Sequence, residues 1–287
     1  MRERTPVVDA HHHFWTPSRH DYYWMTGEEL DPIRKPFTPA ELRPALAAAG
    51  VDYTVLVQTV PSVVETREFM QIAASTRFVA GVVGWVDLTD ADVGETLAEL
   101  MAQPEGETLV GIRHQVHDEK DAEWLLRPDV QRGLAAVHDA GLAYDLLVRP
   151  RELPAALATV RAFPDMRFVI DHIAKPPIAS GKVANWVALM EPFRGLAHVS
   201  CKLSGMITEA AWTDWTPDDL RPFVETIVDI FGADRVMFGS DWPVCLLAGE
   251  YGVVKSALEE ALPPLSNDEL ARVFGGTAIG VYGLKVT

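Results

Sequence analysis

Eight short apolar runs, rich in valine, leucine and isoleucine, recur along this 287-residue chain at residues 7–11, 53–58, 79–86, 109–115, 142–148, 168–172, 198–203 and 235–240. Stretches with helical patterning follow at 39–49, 66–75, 92–102, 130–140, 151–162, 183–193, 217–231 and 251–261. Alternation of this kind marks repeated strand–helix units and a parallel sheet, because each parallel strand needs a crossover to bring the chain back to the same end. Gly50, Gly141 and Gly232 stand where helices must stop before the next strand, a place that favours a left-handed residue.

Two architectures accommodate eight such units: an open doubly wound sheet and a closed barrel. No Gly-x-Gly-x-x-Gly turn follows an early strand, which argues against the open dinucleotide-binding form. The ends of the first and last runs argue for closure. The first delivers His11, His12 and His13, the last delivers Asp241, and these groups meet only if the sheet between them forms a ring. The expected fold class is therefore α/β, a single-domain (β/α)8 TIM barrel over residues 1–287, with its site on loops at the C-terminal ends of the strands.

Two segments fall outside the repeat. Residues 14–39 are long for a strand–helix connection and carry Phe14, Trp15, Tyr22, Tyr23, Trp24 and Met25, so they are expected to form an active-site loop rather than a disordered one. Ser266 to Glu269 has the Ser-x-x-Glu form of a capping box and should open a C-terminal helix over 266–278 that covers the outside of the barrel. No internal sequence repeat, linker or low-complexity tract is visible.

Composition narrows the function. A chain of this length that is 48% hydrophobic can bury one large core. No apolar run approaches the ~20 residues of a membrane span, and Met1 to Pro6 is not followed by the apolar stretch of a secretory signal, so a cytoplasmic location without a membrane partner is expected. Two cysteines, Cys201 and Cys245, are too few for a disulfide framework and are expected to be reduced. A net charge of -16 opposes nucleic-acid binding and favours a small-molecule substrate. The oligomeric state is left open, a homo-oligomer included.

Side chains two apart on a strand share a face, so His11 and His13 point together and His12 away. His172 ends the sixth run and Asp241 the eighth. Three imidazoles and a carboxylate form a set that suits zinc or a similar divalent ion with room left for water. Each residue alone has a structural alternative, a satisfied core histidine or a helix-capping aspartate. Four of them at strand ends in one barrel make an active site the stronger reading.

These residues also carry a resemblance. Asp9-Ala10-His11-His12-His13-Phe14-Trp15, Gly111-Ile112-Arg113-His114, Val169-Ile170-Asp171-His172-Ile173-Ala174-Lys175-Pro176, Cys201-Lys202-Leu203-Ser204-Gly205 and Phe238-Gly239-Ser240-Asp241-Trp242-Pro243 resemble, in order and across the chain, the amidohydrolase superfamily. Within it the chain is similar to the sugar lactonases of the L-fuconolactone and L-rhamnonolactone type, and more distantly to 2-pyrone-4,6-dicarboxylate lactonases. The resemblance implies a (β/α)8 barrel, hydrolysis of a cyclic ester, and His11, His13, His172 and Asp241 as the catalytic cluster. It also implies one divalent ion at most, zinc or manganese held by those four residues, or a metal-independent centre. Strand five lacks the histidine that many metal-dependent members place there, and strand four has no lysine to bridge two metals. A metal-dependent decarboxylase or a cyclic amidohydrolase on the same scaffold, and a sugar-binding barrel without catalysis, are the competing readings.

In the proposed chemistry Asp241 takes a proton from the attacking water and returns it to the leaving alkoxide, while the histidines stabilise the oxyanion directly or through a metal. Arg113, on the inward face of strand four, is a candidate for gripping a carboxylate or hydroxyl pair, with a barrel salt bridge as its alternative. Gln58 can bind a hydroxyl or cap a turn. Trp15 and Trp242 offer aromatic faces to a sugar ring or serve the core. Lys202 points inward or snorkels outward, and Lys175 meets a carboxylate or stays solvated. The two cysteines are assigned no chemistry.

Overall fold

The structure is a computed structural model that describes residues 4–286. Eight strands, β1 (Val8–His12), β2 (Tyr53–Val57), β3 (Val79–Gly84), β4 (Leu109–His114), β5 (Ala143–Leu146), β6 (Phe168–Ile170), β7 (Val199–Leu203) and β8 (Val236–Phe238), pair in parallel in sequence order. A parallel bridge between His12 and Trp242 closes the ring. Helices α1 (Pro39–Ala49), α2 (Val63–Ser75), α3 (Val93–Met101), α4 (Pro128–Asp139), α5 (Leu153–Ala162), α6 (Ala184–Met190), α7 (Met206–Glu209), α8 (Pro217–Phe231), α9 (Tyr251–Ala261), α10 (Asn267–Ala271) and α11 (Thr277–Tyr282) follow in order. The fold is the expected (β/α)8 barrel.

Local chemistry sets the helix limits. Ser62 accepts a hydrogen bond from the Glu65 amide, which starts α2 at Val63 rather than at residue 66. Capping boxes at Thr38 with Glu41 and at Thr216 with Asp219 open α1 and α8. Gly50 ends α1 in the left-handed region at φ 67°.

Outward-facing strand residues such as Leu56, Val82, Ile112, Tyr144, Phe168 and Phe238 pack with the helices into the main core. A second, smaller cluster lies inside the barrel: Val8, Ala10, Val55, Val57, Val83, Ala143, Val169 and Met237, joined by Ala278, Tyr282 and Leu284. This corrects the expected role of the C-terminal helix. It starts with the Ser266–Glu269 box, but passes through a π-helical turn at Arg272–Gly276 and ends at Tyr282 rather than 278. It also does not stay outside. The inward valines and alanines are too small to fill the N-terminal end of the barrel, and the C-terminal residues complete that packing.

Candidate active site

The backbone bonds that close the ring also assemble the site. Asp241 N–H donates to His11 O at 2.8 Å, and His13 N–H donates to Trp242 O at 2.7 Å. The buried Asp9 carboxylate reinforces this seam by accepting from Ser240 N (2.8 Å), Ser240 Oγ (2.6 Å), His11 N (3.1 Å) and Tyr251 Oη (2.9 Å). Burial, only partly offset by those bonds, pushes Asp9 up to about 6.

A register shift lies between Asp9 and His12 in the pairing of β1 with β2. It lets Ala10 join the interior cluster while the next residue, His11, also faces inward. His12 turns away, its Nε2 2.8 Å from Thr54 Oγ1. Gly239 has no alternative here, since a Cβ at that position would lie 2.7 Å from His11 Cβ and 3.0 Å from Ser204 Cβ.

Beyond β6 and β8 the backbone is strained. The described non-glycine residues with positive φ are His172 (52°), Ile173 (48°), Ala174 (60°), Lys175 (48°) and Asp241 (57°), all in these two loops. Each costs on the order of 1–2 kcal/mol for an ordinary L-residue. The surroundings hold the first loop in place through Trp186 Nε1–H donating to Ile173 O at 2.8 Å and Lys175 N–H to His172 O at 2.7 Å. Strain concentrated on two candidate catalytic residues marks a functional constraint. It also explains why β6 stops at Ile170 although the apolar run extends to His172.

The four histidine and aspartate candidates come together. Asp241 Oδ1 lies 3.4 Å from His13 Nε2, 3.8 Å from His11 Nε2 and 3.9 Å from His172 Nε2. His11 Nε2 lies 3.2 Å from His13 Nε2, His13 Nδ1 2.7 Å from Val57 O, and His172 Nδ1 2.9 Å from Ser204 Oγ. Burial holds His172 down at about 3 and His11 well below the usual imidazole range, so both are neutral. Burial works to raise the Asp241 carboxyl, but the imidazoles of His172 and His13 and the Lys175 ammonium outweigh it and keep Asp241 below the usual carboxylate range. An ionised carboxylate therefore faces the neutral rings of His11 and His172.

Under this cluster lies a layer of buried charges. Arg113 Nη1 donates to Asp171 Oδ2 at 2.9 Å and Lys202 Nζ to Asp145 Oδ2 at 2.6 Å, and the Lys202 ammonium forms an ion pair with Asp171 Oδ1, 2.9 Å away. Tyr282 Oη–H reaches Asp145 from the opposite end at 2.8 Å. Burial works against the Asp171 carboxyl, but Lys202, His11 and Arg113 hold it well below its usual range; burial dominates at Asp145 and pushes it up to about 6. With these carboxylates ionised, two cations balance two anions, and the Asp241 charge is left for the mouth.

A cavity of about 150 Å³ opens over the cluster, lined by His13, Trp24, Thr59, Arg113, Gln115, His117, Asp118, Leu147, His172, Lys175, Asp241 and Val244. Of the candidate substrate contacts, Arg113 and Lys175 reach this cavity, Lys175 with its ammonium paired to Glu209 at 2.8 Å, and Gln58, Trp15, Trp242 and Lys202 lie behind it. Gln58 is fully buried, its amide donating to Gln115 Oε1 at 2.9 Å and its carbonyl accepting from Arg113. Trp15 spends its indole N–H on Ile33 O at 3.0 Å, and Trp242 packs edge-on against Phe14 and Phe37. Lys202 is completely buried beneath His11. The 14–39 segment supplies Trp24 instead, its indole N–H bonded to Thr59 O at 3.0 Å. Sequence reasoning passed over Asp145 and Asp171, whose signal is a carboxylate in an otherwise apolar strand run. His117 and Asp118 carried no signal.

Among the described residues, His11, His172 and Asp241 present ligand atoms that all lie within 4.8 Å of one another. Two neutral imidazoles and an ionised carboxylate fit a zinc-like ion with an open position. His13 is not in that mutual set, although its Nε2 is close to both His11 and Asp241.

The amidohydrolase family profile matches residues 8–284. The chain belongs to the amidohydrolase family. This amidohydrolase is 43% identical to the L-fucono-1,5-lactonase of Burkholderia ambifaria over 281 residues, covering 96% of the chain and 94% of that relative. It is 36% identical to the L-fucono-1,5-lactonase of Burkholderia multivorans, with 96% of each covered. A solved Burkholderia multivorans amidohydrolase with bound zinc is 34% identical and superposes with a TM-score of 0.91, covering 97% of this chain and 99% of that one. No helix of the amidohydrolase is long and apolar enough to cross a membrane, among the described residues.

Proposed function

We propose that this amidohydrolase hydrolyses a sugar lactone of the L-fucono-1,5-lactone type to the open sugar acid. The observation that carries the reading is an ionised carboxylate, Asp241, set among three imidazoles beside a small cavity. Relatives at 43% and 36% identity that carry the L-fucono-1,5-lactonase name support the choice of substrate.

Asp241 accepts a proton from a water molecule as the water oxygen bonds to the lactone carbonyl carbon. The carbonyl oxygen becomes the oxyanion, stabilised by N–H groups of Arg113 and His172, which line the cavity. Collapse breaks the bond to the ring oxygen, which takes the proton back from Asp241. The new carboxylic acid then loses its own proton to solvent. Trp24 and Leu147 wall the cavity and exclude bulk water. Where a metal is held, His11, His172 and Asp241 hold it, with His13 alongside. Zinc or manganese there supplies Lewis-acid polarisation and a more acidic water. Two buried unpaired thiols, Cys201 and Cys245, support a reducing cytoplasmic setting.

Acid release across a panel of aldonolactones, followed with a pH indicator in chelator and with added zinc or manganese, tests this reading. Acid production above the spontaneous rate on L-fucono-1,5-lactone is the expected result. Silence across the panel in both arms overturns it in favour of decarboxylation or cyclic-amide hydrolysis.

A further inference from the structure

We propose that Asp118 is a specificity-determining residue that accepts hydrogen bonds from adjacent ring hydroxyls of the lactone. The proposal rests on the cavity being a lactone site. Hydrolysis uses the carbonyl group and the ring oxygen, and a sugar lactone is otherwise edged with hydroxyls. With the carbonyl beside Arg113, His172 and Asp241, those hydroxyls are left to the polar lining residues outside the cluster, Thr59, Gln115, His117, Asp118 and Lys175. Most of these are spent on the protein. Gln115 accepts the Gln58 amide at Oε1 and donates its own amide to Thr59 O, at 2.9 Å in each case. Thr59 gives its hydroxyl hydrogen to Glu65, and the Lys175 ammonium is paired with Glu209 at 2.8 Å.

Asp118 differs. It closes a short 3-10 turn, Val116–Asp118, held by the buried Val116 side chain and by His117 N–H donating to Leu147 O at 3.1 Å. Among the described residues its carboxylate caps no helix and forms no ion pair with a lysine or arginine. Its partners are Tyr23 Oη–H, which donates to Oδ2 at 2.9 Å from the 14–39 segment, and His117 Nε2, 3.2 Å from Oδ1. The His117 imidazole does most to hold the Asp118 carboxyl below the usual carboxylate range, with Tyr23 and Arg149 in support and burial opposed, so the group is ionised at neutral pH. An ionised carboxylate has room for about four hydrogens, and Tyr23 and His117 leave part of that capacity unused. Hydroxyl groups donating to it make charge-assisted bonds. His117 Nδ1 has no hydrogen-bond partner among the described residues, so the fold does not hold the ring by that atom.

Steady-state kinetics on L-fucono-1,5-lactone and on δ-valerolactone, a six-membered cyclic ester without hydroxyls, tests the assignment. In Asp118→Ala the ratio of kcat/KM for the sugar lactone to that for δ-valerolactone is expected to fall on the order of tenfold, chiefly through KM. Tyr23→Phe, which frees the carboxylate from its orienting hydroxyl, is expected to lower the same ratio about threefold. An unchanged ratio in Asp118→Ala overturns the proposal, and so does a loss shared equally by both esters, which is the mark of a structural role. Titration calorimetry with L-fucose, a pyranose with the same ring hydroxyls and no ester, reads the contact without turnover. Binding that weakens on the order of tenfold in Asp118→Ala is expected; equal binding, or none by the wild type, counts against Asp118. If the wild type hydrolyses neither ester while Asp118→Ala loses L-fucose binding, the reading of the reaction fails and the Asp118 assignment stands.

Discussion

At the N-terminal end of the barrel the inward side chains are Val8, Ala10, Val55, Val57, Val83, Val169 and Met237, packed with Tyr282 and Leu284. At the C-terminal end they include His11, His13, Arg113, His172 and Asp241. The strands are the same at both ends, yet one end is held by apolar contact and the other by polar groups within 4 Å of one another, two of them on left-handed backbone. The Asp145–Lys202–Asp171–Arg113 layer separates them. Replacing buried ion pairs with apolar packing is often neutral or stabilising, so stability alone does not account for such a layer. Its place directly under His11 does. One end of the barrel supplies rigidity, and the other uses it to hold strained, desolvated groups in register.

The comparison is broken most severely, or sharpened most, at Asp241. Asp241→Asn removes the proton acceptor while keeping a residue type that tolerates positive φ. Its kcat is expected to fall about 1,000-fold, roughly 4 kcal/mol of barrier, with no drop in melting temperature. Wild-type turnover would remove Asp241 from the mechanism. Leu284→Ala probes the opposite end, where a nearly buried leucine fills the base. Urea unfolding is expected to show a loss of about 2 kcal/mol, with kcat unchanged. A parallel loss of kcat would mean that packing at the base and chemistry at the mouth are not separable. The smallest effect is expected from Trp24→Phe, which keeps an aromatic wall but loses the bond to Thr59 O. Steady-state kinetics should show KM raised about threefold and kcat nearly unchanged, the loss of one neutral hydrogen bond. A collapse of kcat would instead give Trp24 a part in the chemical step.

Much of this was legible in the residues. The eight apolar runs match eight strands, Gly50 and Gly141 take the left-handed conformation at helix ends, and the Ser266–Glu269 box opens the final helix. The pairing of His11 and His13 followed from two-residue alternation, and their meeting with Asp241 from ring closure. Three features were hidden. The register shift beside His11 depends on pairing with β2. The left-handed run from His172 to Lys175 uses ordinary residues that carry no turn signature. Trp15 and Trp242 look like ligand platforms beside catalytic positions, but their burial is decided by Ile33, Phe14 and Phe37, from a segment with no repeating pattern.

What the sequence by itself determined is the count and order of the strand–helix units and the residue types delivered to the ends of β1, β6 and β8. Periodicity and composition act locally, and a closed ring is the arrangement that lets those ends meet. Tertiary structure alone decided which buried charges pair, that the C-terminal helix fills the base of the barrel, and which nitrogen of His11 faces Lys202. Those outcomes depend on contacts between residues as far apart as His11 and Lys202, 191 positions along the chain. Their energies come from burial and exact distance, and neither exists until the ring has closed.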